Sequence, residues 1–252
     1  MSAVPDIDDF LAHLDLPEPP HGFIGLESAG ITFAQDTAEV KDVGSQIVEF
    51  DAGVPATVRA AVADALLLAQ LAADKAANGS SHVEAWYERY RATLKSLGWL
   101  ESGMDFQRRE AANDGADVHE AILPVLTAML GPVAASAPLI LSVLNGLKQM
   151  DKDAPWLTLF DRATAHSRGA KFQMGYTRCQ DGHIRVHLMA TAVEAAREVT
   201  QILFFKFARE SATLVTASTQ LDIEVGRLLL HAPKIAALVE PHLANNIASI
   251  EI

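Results

Sequence analysis

KFQMGYTRCQDGHIRVHLMATA, residues 171–192, carries the pattern on which the fold turns: two alternating runs separated by Asp181-Gly182. That dipeptide favours a two-residue type I′ turn, because both central positions need a positive φ, and a two-residue loop sets the register of the strands beside it. Cys179 then faces Ile184, Arg178 faces Arg185, Tyr176 faces His187 and Met174 faces Met189. One side of the ribbon carries Gly175, Thr177, Cys179, Ile184, Val186, Leu188 and Ala190, residues suited to lie against helices, so Cys179 reads as a core residue and not as an activated thiol. The other side carries Phe172, Met174, Tyr176, Arg178, His183, Arg185, His187 and Met189. Two arginines placed opposite one another repel, by about a few tenths to 1 kcal/mol, so an acid is expected near them.

Outward from the hairpin, the period changes from 3.6 to 2 at WLTLF (156–160). TQILFFKFA (200–208) and ATLVTASTQL (212–221) read as further strands of an antiparallel meander of four. Asp222 is placed to cap a helix over IEVGRLLLHA, Pro233 to restart one, and SIEI ends the chain. Towards the N-terminus the pattern is helical. VPATVRAAVADALLLAQLAADKAANG (54–79) has Pro55 for a first turn and Asn78-Gly79 as a stop, and HVEAWYERYRATLKSLGW (82–99) sets Val83, Trp86, Tyr87, Tyr90, Leu94 and Leu97 on one face. SQIVEF (45–50) and MDFQRRE (104–110) read as strands. Residues 23–44 show no clear period, with at most a short strand over 30–34.

Between the helices and the meander lies AILPVLTAMLGPVAASAPLILSVLNGL, residues 121–147, 27 residues without a formal charge. Its length permits a membrane span, but Pro124, Gly131-Pro132 and Pro138 divide it into two pieces of about a dozen residues, each short of the ~30 Å hydrocarbon layer. The expected form is a buried helical hairpin in which Leu139, Ile140, Val143, Leu144 and Leu147 make a stripe and Leu141 and Ser142 lie off it. The fold class is therefore α+β: a helical N-terminal half, with two long helices and this hairpin, packed on a C-terminal antiparallel β-meander. SQIVEF, LLLAQLAADK and WYERYRATLKSLGW resemble an uncharacterised family of soluble bacterial and fungal proteins to which no activity is assigned, and the likeness continues through WLTLF into the last third. The shared residues occupy packing positions, so the resemblance implies a common fold and no chemistry.

The net charge of −12 is concentrated at the front. Residues 1–51 hold 11 acids against one base, Lys41. Such a chain repels phosphate backbones, which excludes nucleic acid as an expected partner. The first 16 residues contain an amphipathic helix, with Ile7, Phe10, Leu11 and Leu14 on one side and Asp6, Asp8 and Asp9 among them, and LPEPPHG follows as a stiff connector. The organisation expected is an acidic arm over 1–22 and a single domain over 23–252. With no leader pattern and one cysteine, a cytoplasmic location is expected.

No nucleophile elbow, phosphate loop or zinc motif occurs, so no catalytic residue, cofactor or metal is expected. Tyr176, Arg178, Arg185 and His187, joined by Arg162, Arg168 and Lys171 from the loop that feeds the hairpin, form the most concentrated basic region. Its complement is the arm, with Asp6, Asp8 and Asp9 supplying charge and Phe10, Leu11 and Leu14 apolar surface. These residues point to a non-enzymatic binding or self-assembling protein whose partner is itself or another protein. Two rival expectations stand beside it: a membrane-active or toxin-like protein that releases the hairpin 118–149, and an enzyme or small-ligand binder using Tyr176, Arg178, Arg185 and His187.

Overall fold

The computed structural model describes residues 6–19, 31–77, 83–103, 106–109, 117–135, 138–166, 169–195, 201–205 and 212–250. In chain order it contains α1 (Ile7–Ala12), β1 (Glu39–Val43), β2 (Gln46–Phe50), α2 (Ala56–Ala77), α3 (Val83–Ser96), β3 (Leu100–Glu101), β4 (Gln107–Arg109), α4 (Val118–Leu130), α5 (Pro138–Gly146), α6 (Pro155–Thr164), β5 (Ala165–His166), β6 (Gly169–Gln180), β7 (His183–Ala195), β8 (Ala212–Glu224), α7 (Val225–Val239) and β9 (Ile247–Ser249). The strands form one sheet in the order β3-β8-β7-β6-β2-β1-β9, with β4 also on β8 and β5 on β6. The β6–β7 hairpin has the expected register, Arg178 opposite Arg185 and Tyr176 opposite His187, around Asp181 and Gly182 at φ 51° and 76°. β2 joins β6 in parallel while its neighbour β1 is antiparallel to it, so the meander is extended into a mixed sheet.

Because side chains alternate across a strand, the sheet serves two cores. Val48, Phe50, Ile184, Val186, Leu188 and Ala190 pack with α2, α3 and α7 on one face. Ile47, Phe172, Met174, Tyr176, Met189 and Val193 pack with α4, α5 and α6 on the other. On the first face α2 is buried on nearly every side, and Gln70 from its middle accepts from Ser45 N at 2.7 Å while donating to Val43 O at 2.9 Å. Gly44 makes that approach possible: its φ is 63°, and a Cβ there would stand 2.5 Å from Gln70 Oε1. Tyr87 of α3 donates to Phe172 O at 3.1 Å, fastening the second helix to the strands.

Several elements depart from the sequence expectation. Among the described residues the meander has three strands, β6 to β8, and residues 202–204 of the expected third strand wind into a 3-10 turn. Ile202 and Leu203 are both fully buried there, a continuous burial that an alternating strand over one core cannot supply. Asp222 lies in β8 and is not a helix cap; Glu224 precedes α7, which runs through Pro233 without restarting. WLTLF lies inside α6, residues 31–34 carry no strand, and β1 arises where no period was visible. α4 passes through Pro124 and continues as a 3-10 turn over Gly131–Ala135, and the hairpin it makes with α5 is buried along one side only.

The first layer is anchored by Arg59. Its guanidinium, with no solvent exposure, donates to Val54 O (2.6 Å), Thr37 O (2.9 Å), Asp51 O (3.0 Å) and Glu39 Oε1 (2.8 Å), and Glu39 is shared with Lys41 at 2.9 Å. Replacing Arg59 by Ala removes the shared donor of these acceptors and leaves Val54 O and Glu39 without it at the inner edge of the layer. The expected cost is about 3–5 kcal/mol, seen as a lower urea midpoint with an unchanged slope.

Candidate functional site

Two features compete as the functional site: the polar cluster at the turn end of β6 and β7, and the apolar hairpin beside it. Tyr176, Arg178, Arg185 and His187 share one side of the ribbon, as their register requires. The acid expected near the opposed arginines is Asp222, which stands opposite Arg185 in β8 and accepts from its Nε at 2.8 Å. Tyr176 is almost fully buried and donates to Asp51 Oδ2 at 2.7 Å. Burial, then the bond to Asp51, push its phenol far above the ordinary range, so it is a fixed donor and not an acid poised near neutrality. Burial, then Arg178 and Arg185, push His187 below the ordinary imidazole range, against the pull of Asp222. His187 Nε2 and Arg178 Nε are buried without a hydrogen-bond partner among the described residues. An open cleft of about 400 Å³, lined by Asp51, Tyr176, Arg178, Cys179, Gln180, Pro132 and Val133, separates this cluster from the tip of the hairpin.

The other predicted binding residues are elsewhere. Lys171 points to the opposite face of the sheet, buried against Asp74 (3.1 Å) and over the Trp86 ring (4.6 Å), because it is an odd number of residues from Tyr176 along β6. Arg162 lies on α6, where it donates to Asn245 O. Arg168 lies outside the described residues.

The arm also docks away from this face. Ile7 and Leu11 are buried in the core served by α2 and α7, with Phe10 and Leu14 partly buried against it. Asp8 meets Lys234 Nζ at 2.6 Å and His231 Nδ1 at 3.4 Å, both on α7. Asp6 caps α1 through Asp8 N, and Asp9 remains exposed beside His13. The pairing of arm with basic ribbon does not form within the chain, since α7 lies on the other side of the sheet and already supplies both cation and apolar surface.

The hairpin is the larger anomaly. α2 and the helical stretch 118–135 each hold 18 consecutive residues of comparable hydropathy, yet 78% of those in α2 are buried and only 28% of those in the stretch. Val118, Ile122, Leu126 and Leu130 face the sheet; Pro124, Thr127, Ala128, Gly131, Pro132 and Ala135 are exposed, with Leu123, Val125 and Met129 half-buried. α5 follows the expected stripe, with Ile140, Val143, Leu144 and Leu147 buried and Ser142 exposed. Polar ties gather at the foot: Val118 N donates to Phe205 O (3.0 Å), His119 Nδ1 meets Leu203 O (2.7 Å), and Glu120 pairs with Lys148. Nearer the tip, at the start of α5, Ile140 N donates to Glu49 Oε2 at 2.8 Å, and Leu139 N–H is directed at the same carboxyl.

The sequence does not single out Glu49 or Asp51, and it reads Asp222 only as a helix cap. The signal for Glu49 was present in SQIVEF, where alternation puts it on the same face as the core residue Ile47. The coupling of Arg185 to Asp222 is measurable in a double-mutant cycle with Arg185→Gln and Asp222→Asn. It is expected at about 1 kcal/mol and should shrink as salt is added, the pair being partly exposed.

No family model matches the chain, and no curated protein does. Among solved structures, the chain is similar to a delta-endotoxin at 12% identity, covering 82% of this chain and 92% of that one, with a TM-score of 0.42. It is also similar to an activated Cyt2Ba monomer from Bacillus thuringiensis subsp. israelensis (11% identity, 55% and 79% covered, TM-score 0.32). A third similar structure is the Evf virulence factor (11% identity, 97% and 91% covered, TM-score 0.35).

Proposed function

We propose that this chain is a membrane-active protein, toxin-like in class, that stores an apolar helical hairpin on one face of its sheet and delivers it to a lipid surface. The observation that supports it is the uncovered side of α4. Apolar sequence in α2 is explained by burial; the same composition in 118–135 is not, because most of that stretch is not buried. The uncovered side is uncharged and built from Pro124, Ala128, Gly131, Pro132 and Ala135, with Thr127, flanked by half-buried Leu123, Val125 and Met129, and a contiguous surface of this kind marks a face that is covered in use. Two of the three solved structures are named as a delta-endotoxin and a virulence factor, but likeness that distant adds no weight, and the reading stands on the hairpin.

Geometry limits how the hairpin can enter lipid. The 13 residues of α4 measure about 20 Å at ~1.5 Å per residue before Gly131 (φ 51°) breaks the helix, and the nine of α5 reach about 14 Å, both short of the ~30 Å hydrocarbon layer. Two full spans are thus excluded. An interfacial or re-entrant hairpin fits, its Pro-containing helix lowest and the Glu120–Lys148 pair left at the headgroups.

A second reading draws on the same uncovered side: a second copy of this chain could cover it, giving the self-associating protein expected from the sequence. Dye release from phospholipid vesicles separates the two. Wild-type protein is expected to release dye, and Ala128→Asp, at an exposed position, to fold within about 0.5 kcal/mol of wild type. A charge there costs insertion about 2.5–3.5 kcal/mol, so release should fall by roughly a hundredfold. Absence of release by wild type from about pH 5 to about pH 9, or equal release by the variant, overturns the membrane reading.

A further inference from the structure

Three carboxyl groups lie between the sheet and the layer of α4, α5 and α6. Asp42 of β1 has no exposure, and neither of its oxygens meets a donor. Glu49 of β2 has no exposure either; one oxygen receives Ile140 N at the start of α5, and the other meets no donor. Asp161 of α6, 9% exposed, receives Ile202 N at 3.0 Å. Glu49 joins β2 directly to the start of α5, Asp161 joins α6 to the 3-10 turn over 202–204, and Asp42 lies close enough to Asp161 and Arg162 to feel their charges; an ion so buried is costly unless it is neutralised.

We propose that the neutral carboxyl groups of Asp42, Glu49 and Asp161 latch this layer to the sheet, and that their ionisation towards alkaline pH loosens the hairpin. The proposal rests on the membrane-active reading and adds its regulation. Burial raises Glu49 to about 7, against the pull of Ile140 and Leu139 N–H and with a further push from Asp51. Burial raises Asp161 to about 6 against Ile202 N–H. Asp42 is raised well above the carboxylate range by burial and by Asp161, against Arg162. In all three the folded value exceeds the ordinary 3.8 or 4.5, so the stability they contribute is complete below about pH 4. It is lost as pH climbs through about 6 for Asp161 and about 7 for Glu49, and Asp42 acts in the same direction.

The sign is therefore opposite to that of an acid-released hairpin. The other groups facing these carboxyls are few. α5 carries no ionisable side chain, α4 brings His119 and Glu120 at the foot, α6 brings Arg162, and β6 brings Tyr176 and Arg178. Glu120 is held below its ordinary value by Lys148, and Glu39 by Arg59 and Lys41 against its own burial, so both weaken the fold only on acidification. At alkaline pH the foot thus stays tied while the contact of Glu49 with the start of α5 gains a buried charge.

Amide hydrogen exchange of the full chain without lipid, with exchange times scaled for the intrinsic pH dependence, tests this. From about pH 5.5 to about pH 9, protection in residues 118–146 is expected to fall at least about tenfold, with α2 little changed. The double variant Glu49→Gln and Asp42→Asn, which mimics the neutral groups, should hold its protection. A fall shared equally by α2, whose half-buried Asp64 is raised to about 6 by burial, overturns the latch. So does no fall at all, or the same fall in the double variant. If the double variant does not fold, the wild-type profile decides alone. Loosening without dye release sinks the membrane reading and leaves the latch; release with pH-independent protection does the reverse.

Discussion

The parallel pairing of β2 with β6 is the constraint on which the rest of the structure depends. Parallel neighbours cannot be joined by a tight turn and need a long crossover. Here residues 51–168 form it, and they contain α2 to α6. α2 to α6 are thus hung between two adjacent strands, α7 completes the first layer from beyond β8, and the sheet is covered on both faces. The same register sets Glu49 beside Tyr176, which brings the end of β2, with Asp51, to the polar cluster on the β6–β7 ribbon.

The two layers are held by different means. α2 and α3 are fastened by directional contacts that exclude alternatives: Arg59 on four acceptors, Gln70 in the Gly44 turn, and the Tyr87 hydroxyl between strands. The α4–α5 hairpin has apolar contact along one side, polar ties at its foot, and a single carboxyl at the start of α5. Apolar packing without directional bonds yields locally at lower free energy than the whole fold does. The hairpin thus combines one uncovered side with few directional bonds to the strands.

Local rules determined what depends on near neighbours in the chain. Asp181-Gly182 was enough to place Arg178 opposite Arg185, because a two-residue turn leaves one register, and repulsion between them was enough to call for an acid. The helical periods of α1, α2, α3 and α5 were legible for the same reason. Other decisions belonged to the tertiary structure. Nothing near SQIVEF announces that its partner is β6, 125 residues on in the case of the Tyr176–Asp51 contact. Nothing near Asp8 announces α7. Most of all, the run 121–147 reads as core by composition, and composition reports only that surface is apolar. Which side of a helix is covered depends on what the remaining chain brings to it, and here the sheet covers one side of α4 while no described element covers the other.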